Sequence, residues 1–106
     1  MTMNVGEYGI VLYMNVNFDI SGYTALSLVV TRPDDTTFTR THASSIVSVG
    51  GSPLSTDLGT FDANEYIAYT IQSGDLTVDG QYNARLTYTD ASKRLVSDAA
   101  AFAVNP

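Results

Sequence analysis

Apolar residues recur at every second position along most of this chain, and that period decides the fold class. A strand turns successive side chains to opposite faces, whereas a helix repeats roughly every 3.6 residues. After the turn-like Asp75–Gly80, Tyr82, Ala84, Leu86 and Tyr88 fall on one side and Asn83, Arg85, Thr87 and Thr89 on the other. Tyr8, Ile10, Leu12, Met14, Val16 and Phe18 alternate over a longer run, read as one long strand. Leu26, Leu28 and Val30 alternate with Ser27, Val29 and Thr31. Helical period has no rival segment beyond Ala99-Ala100-Ala101, which could seed a short helix.

Turn chemistry divides the alternating runs. Arg32-Pro33-Asp34-Asp35-Thr36 reads as a tight hairpin, because Pro fixes φ and Asp bonds nearby backbone. A Thr-rich strand from Thr36 to His42 follows, and Ser45 to Val49 reads as a short one. Gly50 to Gly59 is the longest loop candidate. Tyr66 to Ile71 returns to strand, and Asp90-Ala91-Ser92-Lys93-Arg94 is the last hairpin turn. Leu95 to Val104 closes the chain as one strand, with Val96, Ala100, Phe102 and Val104 on one side. The count is about seven strands, the number and spacing of an immunoglobulin-like antiparallel β-sandwich. With 106 residues and no linker, residues 1–106 read as a single domain.

Composition removes several function classes. The formal net charge is −6, from 11 acidic and 5 basic residues that never form a run. Such a surface repels phosphate backbones and anionic membranes, so neither nucleic acid nor membrane is an expected partner. No segment approaches the ~20 apolar residues of a membrane helix. Residues Met1 to Glu7 lack the basic region of a secretory signal, so none is expected. Cys is absent, which excludes disulfides and thiolate metal sites.

Residues that could carry chemistry are few. His42 is the single histidine, in a Thr-rich stretch with no carboxylate nearby in sequence. A catalytic set would need distant partners such as Ser44 or Ser45 with Asp62. Asp57, Asp62 and Glu65 gather at one loop, and Asp75 and Asp79 at another. A glycosidase needs two carboxylates across a sugar-sized cleft, and these read instead as turn and strand-end acids. Calcium loops alternate their Asp residues, whereas Asp34 and Asp35 are adjacent. The expectation is a non-enzyme with no metal and no cofactor.

Seven Tyr against no Trp is the remaining bias. Asp79, Gly80 and Tyr82 fit a tyrosine corner, in which the hydroxyl bonds backbone a few residues upstream. Tyr8, Tyr66 and Tyr88 suit core or rim positions. Tyr13 and Tyr69 are read as outward-facing aromatics, the residue type that marks contact surfaces. Gly50, Gly51, Leu54 and Leu58, in the long loop, are read as an adaptable contact. Sandwich edges are templates for another chain, and the long N-terminal strand could add to a neighbour's sheet.

Several segments together resemble a family. Asp19-Ile20-Ser21-Gly22-Tyr23-Thr24 resembles the Asp-Leu-Ser/Thr-Gly-Ala-Thr lead-in of the N-terminal immunoglobulin-like domain of phage baseplate upper proteins and related small phage structural proteins. Arg32-Pro33-Asp34-Asp35-Thr36 is similar to that family's Lys/Arg-Pro-Asp-Gly-Thr hairpin, with Asp35 in place of Gly. Thr77 to Tyr82 resembles its Ala-Gly-Thr-Tyr strand start. Thr87 to Arg94 resembles its final hairpin, and Phe102-Ala103-Val104 its closing Phe-x-Val. The likeness spans roughly residues 5 to 104, as order and spacing. It implies a virion structural protein, made in the host cytoplasm and docked on capsid subunits as decoration, or on tail or baseplate subunits, with copies able to contact one another. The other class considered is a carbohydrate- or ligand-binding sandwich, which would show exposed coplanar aromatics on one face.

Overall fold

The computed structural model describes residues 3–42, 46–56 and 59–106. Among them the chain is nearly all-β, with no α-helix. Its strands are β1 (Met3–Asn4), β2 (Val11–Asn15), β3 (Ala25–Thr31), β4 (Thr37–Thr41), β5 (Val47–Val49) and β6 (Leu54–Thr56), then β7 (Gly59–Phe61), β8 (Tyr66–Thr70), β9 (Gly80–Thr89), β10 (Arg94–Val96) and β11 (Ala100–Asn105). A six-stranded sheet runs β1-β11-β9-β3-β4, with β10 also paired to β9. A three-stranded sheet runs β2-β8-β5, and β6 pairs with β7 as a separate hairpin. All these pairings are antiparallel except β1 with β11.

Alternation puts one face of each main sheet into a shared core. Leu26, Leu28 and Val30 of β3 and Tyr82, Ala84, Leu86 and Tyr88 of β9 meet Met14, Val47, Ile67 and Tyr69 in one buried cluster. Two sheets closing on one core are consistent with a β-sandwich. Met3 on β1 is 1% exposed and belongs to the same core.

Several elements differ from the sequence reading. The run from Tyr8 to Phe18 is strand only over Val11–Asn15. Gly6 and Gly9 hold positive φ, so the chain turns there and leaves Tyr8 66% exposed. The segment read as one last strand is two. Val96 lies opposite Thr87 and Ala100 opposite Ala84, so the register shifts by one residue between them. Ser97 sits at that bulge, buried, donating its N–H to Leu86 C=O and accepting the Leu86 N–H on its hydroxyl, both at 2.9 Å. A bulge re-aims the side chains around it. Val96 consequently faces solvent while Leu95 turns inward beside Tyr88, and Ala100, Phe102 and Val104 resume the inward face. Ala99-Ala100-Ala101 forms no helix, and strand β11 begins at Ala100.

The hairpin at Pro33 has the form its sequence requires. Asp35 N–H donates to Arg32 C=O at 3.0 Å, Arg32 N–H to Thr36 C=O at 2.8 Å, and Asp35 takes φ 68°. Asp tolerates that left-handed conformation better than most residues, so it replaces Gly there.

Candidate functional site

The outer face of the three-stranded sheet is built by parity. Ile67 and Tyr69 of β8 point into the core, so Tyr66, Ala68 and Thr70 point away from it. On β2, Tyr13 stands opposite Ala68 and Asn15 opposite Tyr66 on that outer face. Tyr66 is nonetheless only 6% exposed, because other segments cover it. Its ring meets Phe61 of β7 at 5.9 Å between centroids and Tyr13 edge-on at 6.3 Å and 64°. Its hydroxyl donates to Ser52 C=O at 2.6 Å. Gly50 lies flat against the ring, where an added Cβ would stand 1.9 Å from Tyr66 Cζ. Leu54 pairs with Phe61 across the hairpin and is half-buried beside it.

Tyr66 thus anchors a small aromatic cluster outside the main core. The stretch read as a loop, Gly50 to Gly59, contains β6 and most of its hairpin with β7, folded down on this face. The structure brings together Tyr13, Gly50 and Leu54, which the sequence had marked separately. Gly51 is exposed next to them. Leu58 and Asp57 lie outside the described residues, as do Ser44 and Ser45.

Tyr13 is 47% exposed and forms the open rim of the cluster. It also borders a groove between β2 and β11 that holds about 60 Å³ and is lined mainly by Leu12, Met14, Leu28, Ala84 and Phe102. Tyr69, in contrast, is not an exposed aromatic. It is 1% exposed, because it shares the inward face with Ile67 and Ile71. Its hydroxyl donates to the Asp75 carboxylate, and burial together with that bond pushes the phenol well above its usual range. The Ile67, Tyr69, Ile71 spacing carried that signal in the sequence.

Asp75, read as a turn acid, is fully buried. Its carboxylate accepts from Arg40, from Tyr69 and from the Gln72 N–H at 2.9 Å. Arg32 donates to the backbone C=O of Asp75 at 3.0 Å and of Gly74 at 3.2 Å. Both guanidiniums lie over the Phe38 ring, at 4.5 and 5.1 Å. This set ties the turn before β9 to the β3–β4 hairpin. Every lone pair it uses is engaged within the protein, so its chemistry is structural.

Tyr82 is fully buried, and its hydroxyl donates to Val78 C=O at 2.6 Å. Gly80 holds φ 126°, and an added Cβ would stand 2.8 Å from Pro33 Cγ, so the turn packs on the Pro33 hairpin. Asp79 is exposed. His42 is engaged at both ring nitrogens. Nδ1 is 3.0 Å from Val47 C=O, which can only accept, so Nδ1 carries the proton and Nε2 accepts from the Tyr23 hydroxyl. Asp62 is exposed, and Glu65 N–H donates to its C=O at 3.1 Å, an ordinary turn. No match to the chain was found among family models, curated proteins or solved structures.

Proposed function

We propose that this protein is a non-enzymatic docking module of a tailed phage particle, built on an immunoglobulin-like sandwich. The observation that carries the docking role is the aromatic cluster on the outer face of the three-stranded sheet, open to solvent at Tyr13. A protein contact gains from rigid, half-exposed aromatics at low entropic cost. Tyr13 has that form, because Tyr66 braces it and Phe61 braces Tyr66. The edge-on rings make no coplanar platform of the kind a sugar stacks on.

Support for the immunoglobulin-like type comes from three features. The short β1 lies parallel on β11, the sheets divide as β1-β11-β9-β3-β4 and β2-β8-β5, and a tyrosine pins the turn before β9. The particle assignment rests on the ordered resemblance from residue 5 to 104. A capsid decoration site is favoured over a tail or baseplate site, since the chain is acidic, with a net charge of −6.

The test is location. Purified virions are imaged with a label on this protein, and its copy number is measured against the major capsid protein. A fixed stoichiometry is expected, and Tyr13→Ala should lower occupancy while the protein stays folded. Absence from particles would end this reading.

A further inference from the structure

The β2 edge facing away from β8 is open, and its backbone can be read residue by residue. Val16 N–H donates to Glu65 C=O at 2.8 Å, and Ile71 N–H donates to Ile10 C=O at 2.9 Å. Both contacts extend the Val11↔Thr70 to Asn15↔Tyr66 register. In an antiparallel pair, residues alternate between bonding the neighbour and pointing away from it. Ile10, Leu12, Met14 and Val16 therefore bond toward β8. Val11, Tyr13 and Asn15 turn their N–H and C=O groups to the outside. Among the described residues no strand pairs with that side.

An open edge is normally guarded by charge, proline or a bulge. Here the chain is uncharged from Tyr8 to Phe18, although its net charge is −6. The guard is missing where the backbone is most available. The chain's own N-terminal strand does not fill the place either. It runs along β11 at Val104 and Asn105, away from the groove beside Ala100 and Phe102.

We propose that this edge pairs with the same edge of a second copy, antiparallel about a two-fold axis midway between the two Tyr13 residues. Only one register engages all three outward residues of both copies. It sets Tyr13 opposite Tyr13, and Val11 opposite Asn15, with on the order of six backbone hydrogen bonds. A strand that satisfies its own edge in this way needs no partner of different sequence, which is why a second copy is the occupant. On the inner side, Met14 of the second copy falls opposite Leu12, at the mouth of the apolar groove. Methionine's flexible thioether suits an irregular space of about 60 Å³. On the outer side, the two Tyr13 rings join the aromatic clusters of both copies into one surface. The inference rests on the docking reading of this face and names one of its partners.

Analytical ultracentrifugation over a concentration series tests it, with no particle present. The full chain is expected to dimerise in the micromolar range, as fits a small edge-to-edge contact. Tyr13→Lys and Tyr13→Asp each place like charges face to face and should weaken dimerisation about tenfold or more. Mixing the two variants should restore a heterodimer. Circular dichroism and a cooperative melt show that each variant is folded. Tyr13→Cys supplies a second measurement, because Cα atoms of such a pair sit ~5.5 Å apart, within disulfide reach. Oxidation should give a cross-linked dimer from a chain that has no other Cys.

A wild-type chain that stays monomeric to about 1 mM overturns the proposal. So does a charged variant that dimerises like wild type, or an equimolar mixture that stays monomeric. A dimer in solution with no protein in virions would sink the particle assignment alone. A particle component that never dimerises would sink this inference alone.

Discussion

Asp75 is a carboxylate with no exposed surface, and its partners explain why that is tolerated. A buried charge must be paired and hydrogen-bonded or it costs several kcal/mol. Arg40 supplies the opposite charge, while Tyr69 and the Gln72 N–H fill the remaining lone pairs. Asp75→Ala strands the Tyr69 hydroxyl in the core and takes the acceptor from the half-buried Gln72 N–H. Arg40 keeps 29% side-chain exposure and can find water. The expected loss is about 3 kcal/mol, the low end for breaking a buried pair. Tyr82→Phe removes the neutral bond to Val78 C=O and the longer one, at 3.3 Å, from Val78 N–H, and should cost about 1 kcal/mol. Urea denaturation of both variants checks the contrast, and equal losses would contradict it.

A second carboxylate contributes to the acid behaviour, beside Asp19 and Asp34, which their own turn bonds also hold below the usual range. Asp90 accepts from the Tyr88 hydroxyl at 2.6 Å and from the Ser92 and Lys93 N–H groups at 2.8 and 2.9 Å. These bonds, Tyr88's first, hold it well below its usual 3.8. A group whose pKa is depressed by folding stabilises the fold above its unfolded value. That contribution is lost as pH falls through the folded one. Stability should thus decline below about pH 4, and Asp90→Asn should flatten part of the decline. Melting temperatures measured between pH 5 and about pH 2 check this. An unchanged slope in the variant would assign the acid limb to other groups.

At the scale of elements, the β6–β7 hairpin depends on one glycine outside it. Gly50 leaves room for the Tyr66 ring, and Tyr66 holds Phe61. Gly50→Ala must push the ring aside, at a cost of roughly 1–3 kcal/mol for overpacking. Limited proteolysis should then cut between Leu54 and Phe61 faster than in wild type, and an unchanged rate would show that the hairpin is held otherwise. The strand β9 was plain in the sequence, because four inward residues alternate without a break. The hairpin was not, because its residues are those of a loop and its cover, Tyr66, is distant in the chain. Tyr69 was legible through Ile67 and Ile71, and its misreading as exposed ignored that parity. The Asp75–Arg40 pair spans distant turns and strands, and no local pattern announces it. The bulge at Ser97 was hidden for another reason: one added residue reverses the parity on which the final strand was read.

Across the whole molecule, stability should be graded from the centre of the larger sheet outward. Strands β3 and β9 are paired on both sides, whereas among the described residues β6 and β7 pair only with each other. Amide hydrogen exchange should therefore be slowest in β3 and β9 and fastest in the hairpin. The β2 edge adds a sharper expectation within one strand. Leu12 and Met14 bond toward β8 and should exchange slowly at every protein concentration. The amides of Val11, Tyr13 and Asn15 face outward and should exchange fast in dilute solution. If the edge pairs with a second copy, those three alone should slow as concentration rises, while their neighbours stay unchanged. Uniform protection along β2 would mean that its outer side is already satisfied, and concentration-independent exchange at the three sites would mean that no copy binds there. Tyr13 is the most telling position, because its amide reports the backbone pairing while its ring reports the outer face.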